Sequence, residues 1–394
     1  DFRLEAGNMR RMREVLEPLK IQEVSRELKR KSRPTIVVPV EWFGSYHAMY
    51  RCYAHSMLQL KGRVRLVAIM RNSKEQPSID DAAKAVFDKV VELSEESASI
   101  SAFLEAIQRE QPDIIYYPSI GMAAWFVALA NFRLAPIQVM TPGHPASTMS
   151  DTIDYLLSEG DLFGDESHYV EKCVRLPVGS VRYVERAPMK MPEHRTSSDG
   201  PIRIAVPAMA TKIIPPFLRA CQRIKAESKR QVEFHFFPNM NGLSHTLITK
   251  DIQRWIPDAV VYPRALYAPY LEWLSKCDFM LSTFPFGGTN SVIDCFIMGI
   301  PVVAMEGDQI HSRSDASMIR RVGLPEWLIA HSMDEYVAAA LRCCNGARPL
   351  PQKDAAKEFF GPAPAGLEGK FLEAFEKLYQ ESLEANEHRA QQAA

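Results

Sequence analysis

Short runs of aliphatic and β-branched residues alternate with longer amphipathic stretches from residue 34 onward. The short runs are typical of buried strands, and the stretches between them have the apolar spacing of helices. Strands are predicted at 35–40, 64–69, 113–118 and 135–140, and helices at 47–60, 82–93, 100–110 and 121–131. Because strands alternate with helices, the pattern predicts a parallel, doubly wound sheet.

The alternation stops between Gly179 and Gly200, where prolines and a run of small polar residues predict a linker. It then starts again, with strands predicted at 202–206, 232–236, 259–262, 279–282 and 301–304. The predicted fold class is therefore α/β, with two Rossmann-like lobes at 34–195 and 196–365. We expect their parallel sheets to face a central cleft.

Both ends of the chain are predicted to be helical. The pattern of residues 1–33 indicates one or two amphipathic helices, with Leu16, Leu19, Val24 and Leu28 on the apolar side. Residues 366–394 hold a last helix, at 366–384, that we expect to cross back to the first lobe.

Composition narrows the class of protein. The 394 residues carry 47 basic and 48 acidic side chains, a formal net charge of -1, so no overall attraction to nucleic acid or anionic membrane is expected. Apolar runs fall short of the roughly 20 residues that a membrane span needs, and the charged start does not resemble a signal peptide. The seven cysteines form no CxxC pair, which favours free thiols and a cytoplasmic setting.

The strongest candidate for chemistry is the segment 282–294, in which a strand ends, two glycines follow and a helix begins. Gly288, Thr289, Asn290 and Ser291 open that helix, and a helix start with small polar residues suits a phosphate group. A well-capped helix without a ligand is the alternative. Asp294, about one turn further, would bind ribose hydroxyls or, alternatively, be a surface carboxylate that offsets the helix dipole.

Two further loops of the second lobe follow predicted strands. Lys212 lies after the first of them, where its ammonium group could neutralise a diphosphate or simply be solvated. The loop at 262–270 could hold a nucleotide base, although its tyrosines could equally be core. Its candidate residues are Arg264, Ala265, Tyr267 and Tyr270.

Two loops of the first lobe also carry candidate groups. His144 lies between Gly143 and Pro145 after a predicted strand, where an imidazole could act as a base, orient an acceptor or be purely structural. Glu41, Trp42 and His47 follow the first predicted strand, as an acceptor-binding cluster or as core.

Nucleotide and metal fingerprints are absent from the sequence. It contains neither GxxxxGK[ST] nor GxGxxG, and no DxD, HExxH or Cys/His cluster. We therefore expect no metal and no bound cofactor. A diphosphate would then be stabilised by backbone N–H groups, hydroxyls and Lys212.

These segments, in this order, resemble glycosyltransferase family 41, with the bacterial cytoplasmic N-glycosyltransferases of high-molecular-weight adhesins nearest and the O-GlcNAc transferases more distant. The likeness covers about residues 34–345, and its motifs are EWF at 41–43 with Ser45 and His47, PSIGM at 118–122, NFRLAPIQ at 131–138, GHPA at 143–146, FPFG at 284–287 with Thr289 and Asn290, and GLPEWLIA at 323–330.

The resemblance implies a GT-B fold and an inverting transfer of a hexose, glucose in the nearest relatives, from a UDP-sugar to a protein. The acceptor would be asparagine in Asn-x-Ser/Thr, and the resemblance implies an adhesin as the acceptor protein. Lys212 matches the lysine that contacts the diphosphate, and Thr289 to Ser291 match the phosphate-binding helix start. Asp294 matches the ribose carboxylate, 264–270 the uracil and ribose wall, and His144 the histidine near the acceptor.

The sequence departs from the family at several of these positions. Gly288 and Ser291 replace residues of the usual FGNTNG text, and Arg264 stands where histidine is usual. Tyr267 and Tyr270 stand where the O-GlcNAc enzymes carry lysine and histidine. A transferase that extends a protein-linked glycan or glycosylates another acceptor, a non-catalytic nucleotide- or glycan-binding protein, and a sugar-nucleotide epimerase remain the alternatives.

Overall fold

The computed structural model describes residues 6–17, 20–72, 79–94, 99–186, 191–194 and 200–393. The described residues form two compact units, unit 1 within Asp1–Arg186 and Phe360–Ala394 and unit 2 within Ala187–Phe359. The chain thus enters unit 2 nine residues before the predicted boundary at 195/196 and leaves it six residues before the predicted boundary at 365/366.

Unit 1 is built on a parallel sheet. Its strands are β1 (Thr35–Val40), β2 (Arg65–Asn72), β3 (Lys89–Ser94), β4 (Ile114–Tyr117), β5 (Ile137–Met140), β6 (Tyr155–Glu159) and β7 (Lys172–Leu176), and its first helices are α1 (Ala6–Leu16), α2 (Ala48–Leu60), α3 (Asp81–Lys84), α4 (Ile100–Glu110) and α5 (Ala124–Leu129). The strand order is β3-β2-β1-β4-β5-β6-β7. The central strand β1 is buried along its whole length, because a parallel sheet is covered by helices on both faces.

Unit 2 repeats this construction. Its strands are β8 (Ile202–Val206), β9 (Val232–Phe236), β10 (Val260–Val261), β11 (Phe279–Leu281), β12 (Val302–Met305) and β13 (Ile329–Ala330), and its helices are α6 (Pro215–Glu227), α7 (Gly242–Trp255), α8 (Tyr267–Leu274), α9 (Thr289–Ile297), α10 (Ile310–Arg321), α11 (Met333–Cys344) and α12 (Ala355–Phe359). The parallel strands follow the order β10-β9-β8-β11-β12-β13. Two parallel Rossmann-like sheets are therefore present, as the alternating pattern predicted.

The last helix, α13 (Lys370–Ala393), packs on the core of unit 1. Its apolar face buries Phe371, Phe375 and Leu378, and the ring of Phe375 lies 5.3 Å from that of Tyr116 in β4. Beyond these contacts, the Tyr379 hydroxyl donates to the Lys29 carbonyl at 2.9 Å. The C-terminal segment thus completes the core of the unit in which the chain begins.

The helix predicted at 82–93 is wrong. Helix α3 ends at Lys84, and residues 89–94 form β3, which pairs in parallel with β2 from Val67 to Asn72. The alanines at 82 and 83 favour helix for one turn only. The β-branched pair Val90 and Val91 then gains more from joining the sheet edge than from extending a short helix.

The prediction for residues 1–33 is only partly right. Helix α1 forms, whereas the described residues 20–33 contain no helix. Their polar groups bond to other parts of unit 1 instead. The Val24 N–H donates to the Arg133 carbonyl at 2.9 Å, and Lys31 pairs with Asp113 at 2.9 Å. Leu28 is buried in the core of unit 1, and Leu19 lies outside the described residues.

Besides β3, the sequence prediction missed three further strands. β6 and β7 extend one side of the first sheet, and the two-residue β13 ends the second. β6 and β7 are short and carry polar residues, such as Ser158 and Arg175, so they lack the continuous apolar run that marks a buried strand. No helix in the described part of the chain is long and apolar enough to cross a bilayer.

Replacing Phe375 of α13 tests how much this side chain contributes to the stability of the core. Phe375→Ala should lower the free energy of unfolding by about 3–5 kcal/mol, since a large side chain that is 1 % exposed is lost from a packed cluster. Lys377→Ala, on the exposed side of the same helix, should change it by less than about 0.5 kcal/mol. Urea unfolding followed by circular dichroism would measure both, and equal effects would contradict the packing described here.

Candidate functional site

The second sheet has a topological switch point between β8 and β11. From β8 the sheet continues through β9 to β10, and from β11 it continues the other way, through β12 to β13. Loops that leave two such neighbouring strands run apart and leave a crevice at their carboxyl ends, which is where open α/β sheets bind ligands. Lys212 follows β8, and the Gly287–Gly288 turn follows β11.

Lys212 bridges this switch point directly. It ends a short 3-10 turn, Ala210–Lys212, and its Nζ donates to the Gly287 carbonyl at 2.5 Å. The ammonium also lies 4.2 Å from the ring centroid of Phe286. Burial lowers the pKa of Lys212 to about 8, although the negative charge of Asp315 opposes that shift. The group is therefore a partly dehydrated cation that is still protonated at neutral pH.

The turn before α9 is held by a buried carboxylate, Asp315 of α10. The Gly288 N–H donates to its Oδ2 at 2.8 Å, and the Ser282 hydroxyl donates to the same oxygen. The Gly287 N–H donates to the His311 carbonyl at 2.9 Å. The backbone donors of both glycines are thus used within the protein.

These bonds change which groups at the helix start can bind an anion. The N–H groups of Ser291 and Val292 donate to the Gly288 carbonyl at 2.8 and 3.1 Å, which begins the hydrogen bonding of α9. The amides of Thr289 and Asn290 come ahead of these bonds, at the end of the helix that favours negative charge. Of the predicted phosphate-binding residues, Thr289 and Asn290 therefore have the most suitable position, whereas the amide of Gly288 serves Asp315.

The predicted ribose and base residues come together on α8 and α9. Asp294 is 3 % exposed, so it is not the surface carboxylate of the alternative interpretation. The Tyr267 hydroxyl donates to its Oδ1 at 2.7 Å, and the ring of Tyr267 stacks on that of Tyr270 at 6.1 Å. Ser291 lies against the Tyr270 hydroxyl, whose pKa burial raises well above its usual value. One tyrosine-lined surface thus adjoins the start of α9.

Arg264 and Ala265 belong to the loop that leads into α8. The Arg264 N–H donates to the Met240 carbonyl at 2.9 Å, which ties the loop after β10 to the loop after β9. The side chain of Arg264 is exposed, and Ala265 is half-buried. Their backbone is therefore fixed next to Tyr267, while the guanidinium remains accessible to solvent.

The first sheet also has a switch point, between β1 and β4, and Glu41 lies there. This buried carboxylate accepts the N–H groups of Gly121, Met122 and Ala123 at 2.9–3.0 Å on Oε1, and the Ser119 hydroxyl on Oε2. It therefore anchors the loop that leads from β4 into α5. Both of its oxygens are engaged by the chain, and its part in acceptor binding stays a prediction.

Trp42 and His47 follow on the same loop, with their rings stacked at 5.9 Å. The His47 Nδ1 accepts the Met49 N–H at 3.2 Å and so caps α2. Burial, assisted by the nearby charge of Arg186, lowers the pKa of His47 to about 4. The imidazole is therefore neutral at physiological pH, with its proton on Nε2, where it can donate a hydrogen bond.

His144 lies in the turn after β5, beside the same two loops. A β-carbon on Gly143 would overlap the Pro118 carbonyl and the Met49 sulfur, so this turn packs against the loop after β4 and against α2. The His144 carbonyl accepts the Ala146 N–H at 2.9 Å, which fixes the backbone. The structure thus brings together the loops of Glu41, His47 and His144, which the sequence offered as two separate candidates for acceptor binding.

Asp315 and His311 were not found from the sequence, because they lie on α10, a helix that carried no recognised motif. Ser282 begins the candidate segment 282–294, but its bond to Asp315 was not predicted. The sequence feature that could have indicated Asp315 is its position between small residues, in the run Ser314–Asp315–Ala316–Ser317. Such small neighbours are typical of a buried helix face, where a carboxylate needs hydrogen-bond partners. Among the described residues, no group of three or more His, Cys, Asp or Glu side chains could hold a metal ion.

The two glycines of the turn should respond differently to alanine. A β-carbon on Gly287 would overlap the Asp315 carboxylate, whereas at Gly288 the nearest atom would be the Met280 methyl at 3.6 Å. Gly287→Ala should therefore lower the free energy of unfolding by about 1–3 kcal/mol, and Gly288→Ala by much less. Thermal unfolding of both variants would measure this, and equal losses would contradict the contact.

The comparisons with known proteins agree with the motifs. No protein-family model matches the chain. A UDP-glucose:protein N-beta-glucosyltransferase of Actinobacillus pleuropneumoniae serotype 5b is 35% identical over 319 residues, 79% of this chain and 51% of the relative. A probable UDP-N-acetylglucosamine--peptide N-acetylglucosaminyltransferase SPINDLY of Solanum lycopersicum is 28% identical, over 63% of this chain and 27% of its own length. The chain spans about half the length of the nearer relative.

The fold is shared with a solved glycosyltransferase. The O-GlcNAc transferase of Thermobaculum terrenum superposes with a TM-score of 0.71 over 98% of this chain and 75% of that one, at 17% identity. This likeness establishes the fold, which is GT-B. In sequence and in fold the chain is thus similar to known protein glycosyltransferases, in agreement with the resemblance to glycosyltransferase family 41 that its motifs carry.

Proposed function

We propose that the chain transfers a hexose, glucose in the first instance, from a UDP-sugar to an asparagine side chain of a protein, with inversion at the anomeric carbon. The observation that carries the proposal is the Lys212 ammonium, bonded to the Gly287 carbonyl at the switch point of unit 2. The similarity to a UDP-glucose:protein N-beta-glucosyltransferase over 79% of the chain supports the choice of donor and acceptor.

Donor binding is assigned to unit 2. The diphosphate lies against Lys212 and against the amides and hydroxyls of Thr289 and Asn290, at the positive end of α9. The ribose contacts Asp294, and the uracil lies along the wall formed by residues 264–270. Because Lys212 is already partly buried, less water has to be removed from it when it contacts the leaving group than from an exposed lysine.

Transfer requires one bond to break and one to form. The bond between the anomeric carbon and the diphosphate oxygen breaks, and its electron pair leaves with UDP, where Lys212 balances the added negative charge. The acceptor nitrogen forms the new bond and gives up a proton. An amide nitrogen is a poor nucleophile, so orientation and leaving-group stabilisation supply most of the rate.

Acceptor contacts are assigned to unit 1, at Trp42, His47 and His144, with Glu41 holding the loop. Neutral His47 donates from Nε2, and His144 orients the acceptor or receives its proton. We propose that no metal takes part, which the position of Lys212 and the start of α9 supports. We further propose a cytoplasmic setting, in keeping with seven free thiols, and an adhesin as the acceptor protein.

Turnover with defined donors and acceptors tests this function. UDP-glucose, UDP-galactose and UDP-GlcNAc would be incubated with the full chain and a peptide library containing Asn-x-Ser/Thr, and mass spectrometry would locate the added sugar. A hexose on asparagine from UDP-glucose is expected. A hexose added only to an existing glycan would redirect the proposal to glycan extension, and UDP binding without transfer to any acceptor would contradict catalysis.

Removing the ammonium should slow transfer without unfolding the protein. Lys212→Ala should lower kcat by about 10²–10³-fold, in the range seen when a group that stabilises developing negative charge is lost. Lys250→Ala, which removes an exposed lysine of α7, should leave kcat unchanged. Circular dichroism would verify the fold of both variants, and undiminished kcat in folded Lys212→Ala would refute this role.

The affinity for UDP should depend on the protonation of Lys212. Its ammonium form, present below a pKa of about 8, binds the diphosphate, so the dissociation constant should rise as pH increases through that value, by up to about tenfold per unit. Lys212→Arg should abolish the rise between pH 7 and 9.5, because a guanidinium stays protonated there. Isothermal titration calorimetry would measure both curves. A flat wild-type curve would show that this ammonium does not contact UDP.

A further inference from the structure

Asp315 is a buried carboxylate directly beneath the proposed diphosphate site. It lies in the middle of α10 and is 4 % exposed. Its Oδ2 accepts the Gly288 N–H at 2.8 Å and the Ser282 hydroxyl, and its Oδ1 accepts the Ser314 hydroxyl at 3.2 Å. Burying a carboxylate costs free energy unless it is fully hydrogen-bonded, so these partners explain how it is tolerated but not why it is there.

The carboxylate is in contact with the turn that holds Lys212. Gly287 has no room for a β-carbon because Asp315 occupies that space, and the carbonyl of the same glycine accepts the Lys212 ammonium. A continuous set of contacts therefore runs from Asp315 through Gly287 to Lys212. Movement of the carboxylate would move the carbonyl on which the ammonium rests.

The negative charge has a second effect on the same group. A carboxylate beside an anion site weakens the binding of phosphate unless it acts through a cation. Lys212 is that cation: burial favours its neutral form, and the charge of Asp315 opposes this. Because the amides of both glycines are used by the protein, diphosphate binding depends heavily on this one ammonium.

We propose that Asp315 is a positioning residue for the nucleotide diphosphate, which holds the Gly287–Gly288 turn next to Lys212 and places a negative charge near the ammonium group. This inference rests on the proposed function of the same site. The charged and titratable groups on the two helices next to the Lys212 turn are His311, Arg313, Asp315, Arg320 and Arg321 of α10 and Asp294 and Cys295 of α9. Arg313 pairs with Glu306 at 3.2 Å, and Asp294 is bonded to Tyr267.

Asp315→Asn separates charge from shape. The amide is nearly the same size, but it carries no charge and cannot accept hydrogen bonds at its nitrogen. The dissociation constant of UDP, measured by calorimetry from pH 6.5 to 9.5, should begin to rise about 0.5–1.5 pH units lower than in the wild type, as expected for the loss of one charge several ångströms away. At pH 8.5 the affinity should fall roughly tenfold, which corresponds to that shift.

Asp278→Asn is the matched control. Asp278 is also 4 % exposed and precedes β11, at the opposite edge of the sheet, where it accepts the Arg203 N–H at 2.8 Å and pairs with Arg348 at 2.6 Å. Its replacement should lower the thermal stability without moving the pH at which UDP affinity declines. In the Lys212→Arg background, Asp315→Asn should likewise produce no shift, since the arginine stays charged.

The outcomes distinguish this inference from the proposed function. A folded Asp315→Asn variant with the wild-type pH profile would overturn the inference and leave the carboxylate a structural group. A wild-type protein that binds no UDP at any pH would overturn the proposed function and the inference with it.

A second variant keeps the claim testable if Asp315→Asn does not fold. Ser282→Ala removes one hydrogen bond to the carboxylate and leaves its charge, so UDP affinity should fall severalfold while the pH profile stays in place. Unchanged affinity would overturn the positioning role.

Discussion

A half-buried ammonium group bonded to a backbone carbonyl is the interaction on which the candidate site depends. Lys212 lies against the Phe286 ring and the Gly287 carbonyl, which replace part of its water. A cation in that state is a strong partner for a diphosphate, but it is also close to losing its proton. The turn below it must therefore be rigid and must carry compensating negative charge, and Asp315 meets both needs.

The two units hold the loops at their switch points in similar ways. In each, the loop after one central strand contacts the loop after the neighbouring strand at the switch point. Glu41, after β1, bonds to the loop after β4, and Lys212, after β8, bonds to the loop after β11. In each, a buried carboxylate accepts backbone hydrogen bonds just ahead of a helix: Glu41 accepts three N–H groups before α5, and Asp315 accepts that of Gly288 before α9. Parallel sheets put these loops together, and the carboxylates fix their shape.

The sequence predicted the parts of this arrangement that depend on local pattern. Buried parallel strands such as β1 are continuous apolar runs, and glycines followed by small polar residues predict the turn into α9. Strand β3 escaped prediction because its pairing with β2 is a tertiary contact that overrides a weak helical signal. The path of residues 20–33 depends on ion pairs with distant residues such as Asp113 and Asp154, which no local pattern reveals.

The structural roles of Glu41 and Asp315 could not be predicted either, because both depend on contacts between residues that are distant in the sequence. Glu41 was predicted as an acceptor-binding residue, yet its hydrogen-bond partners lie about 80 residues away in the chain.

The most direct test of the central claim is a crystal structure of the chain with UDP. The account predicts Lys212 Nζ within about 3.2 Å of a diphosphate oxygen, with Asp315 still bonded to Gly288. A UDP molecule bound elsewhere, with Lys212 still resting on the Gly287 carbonyl, would contradict it.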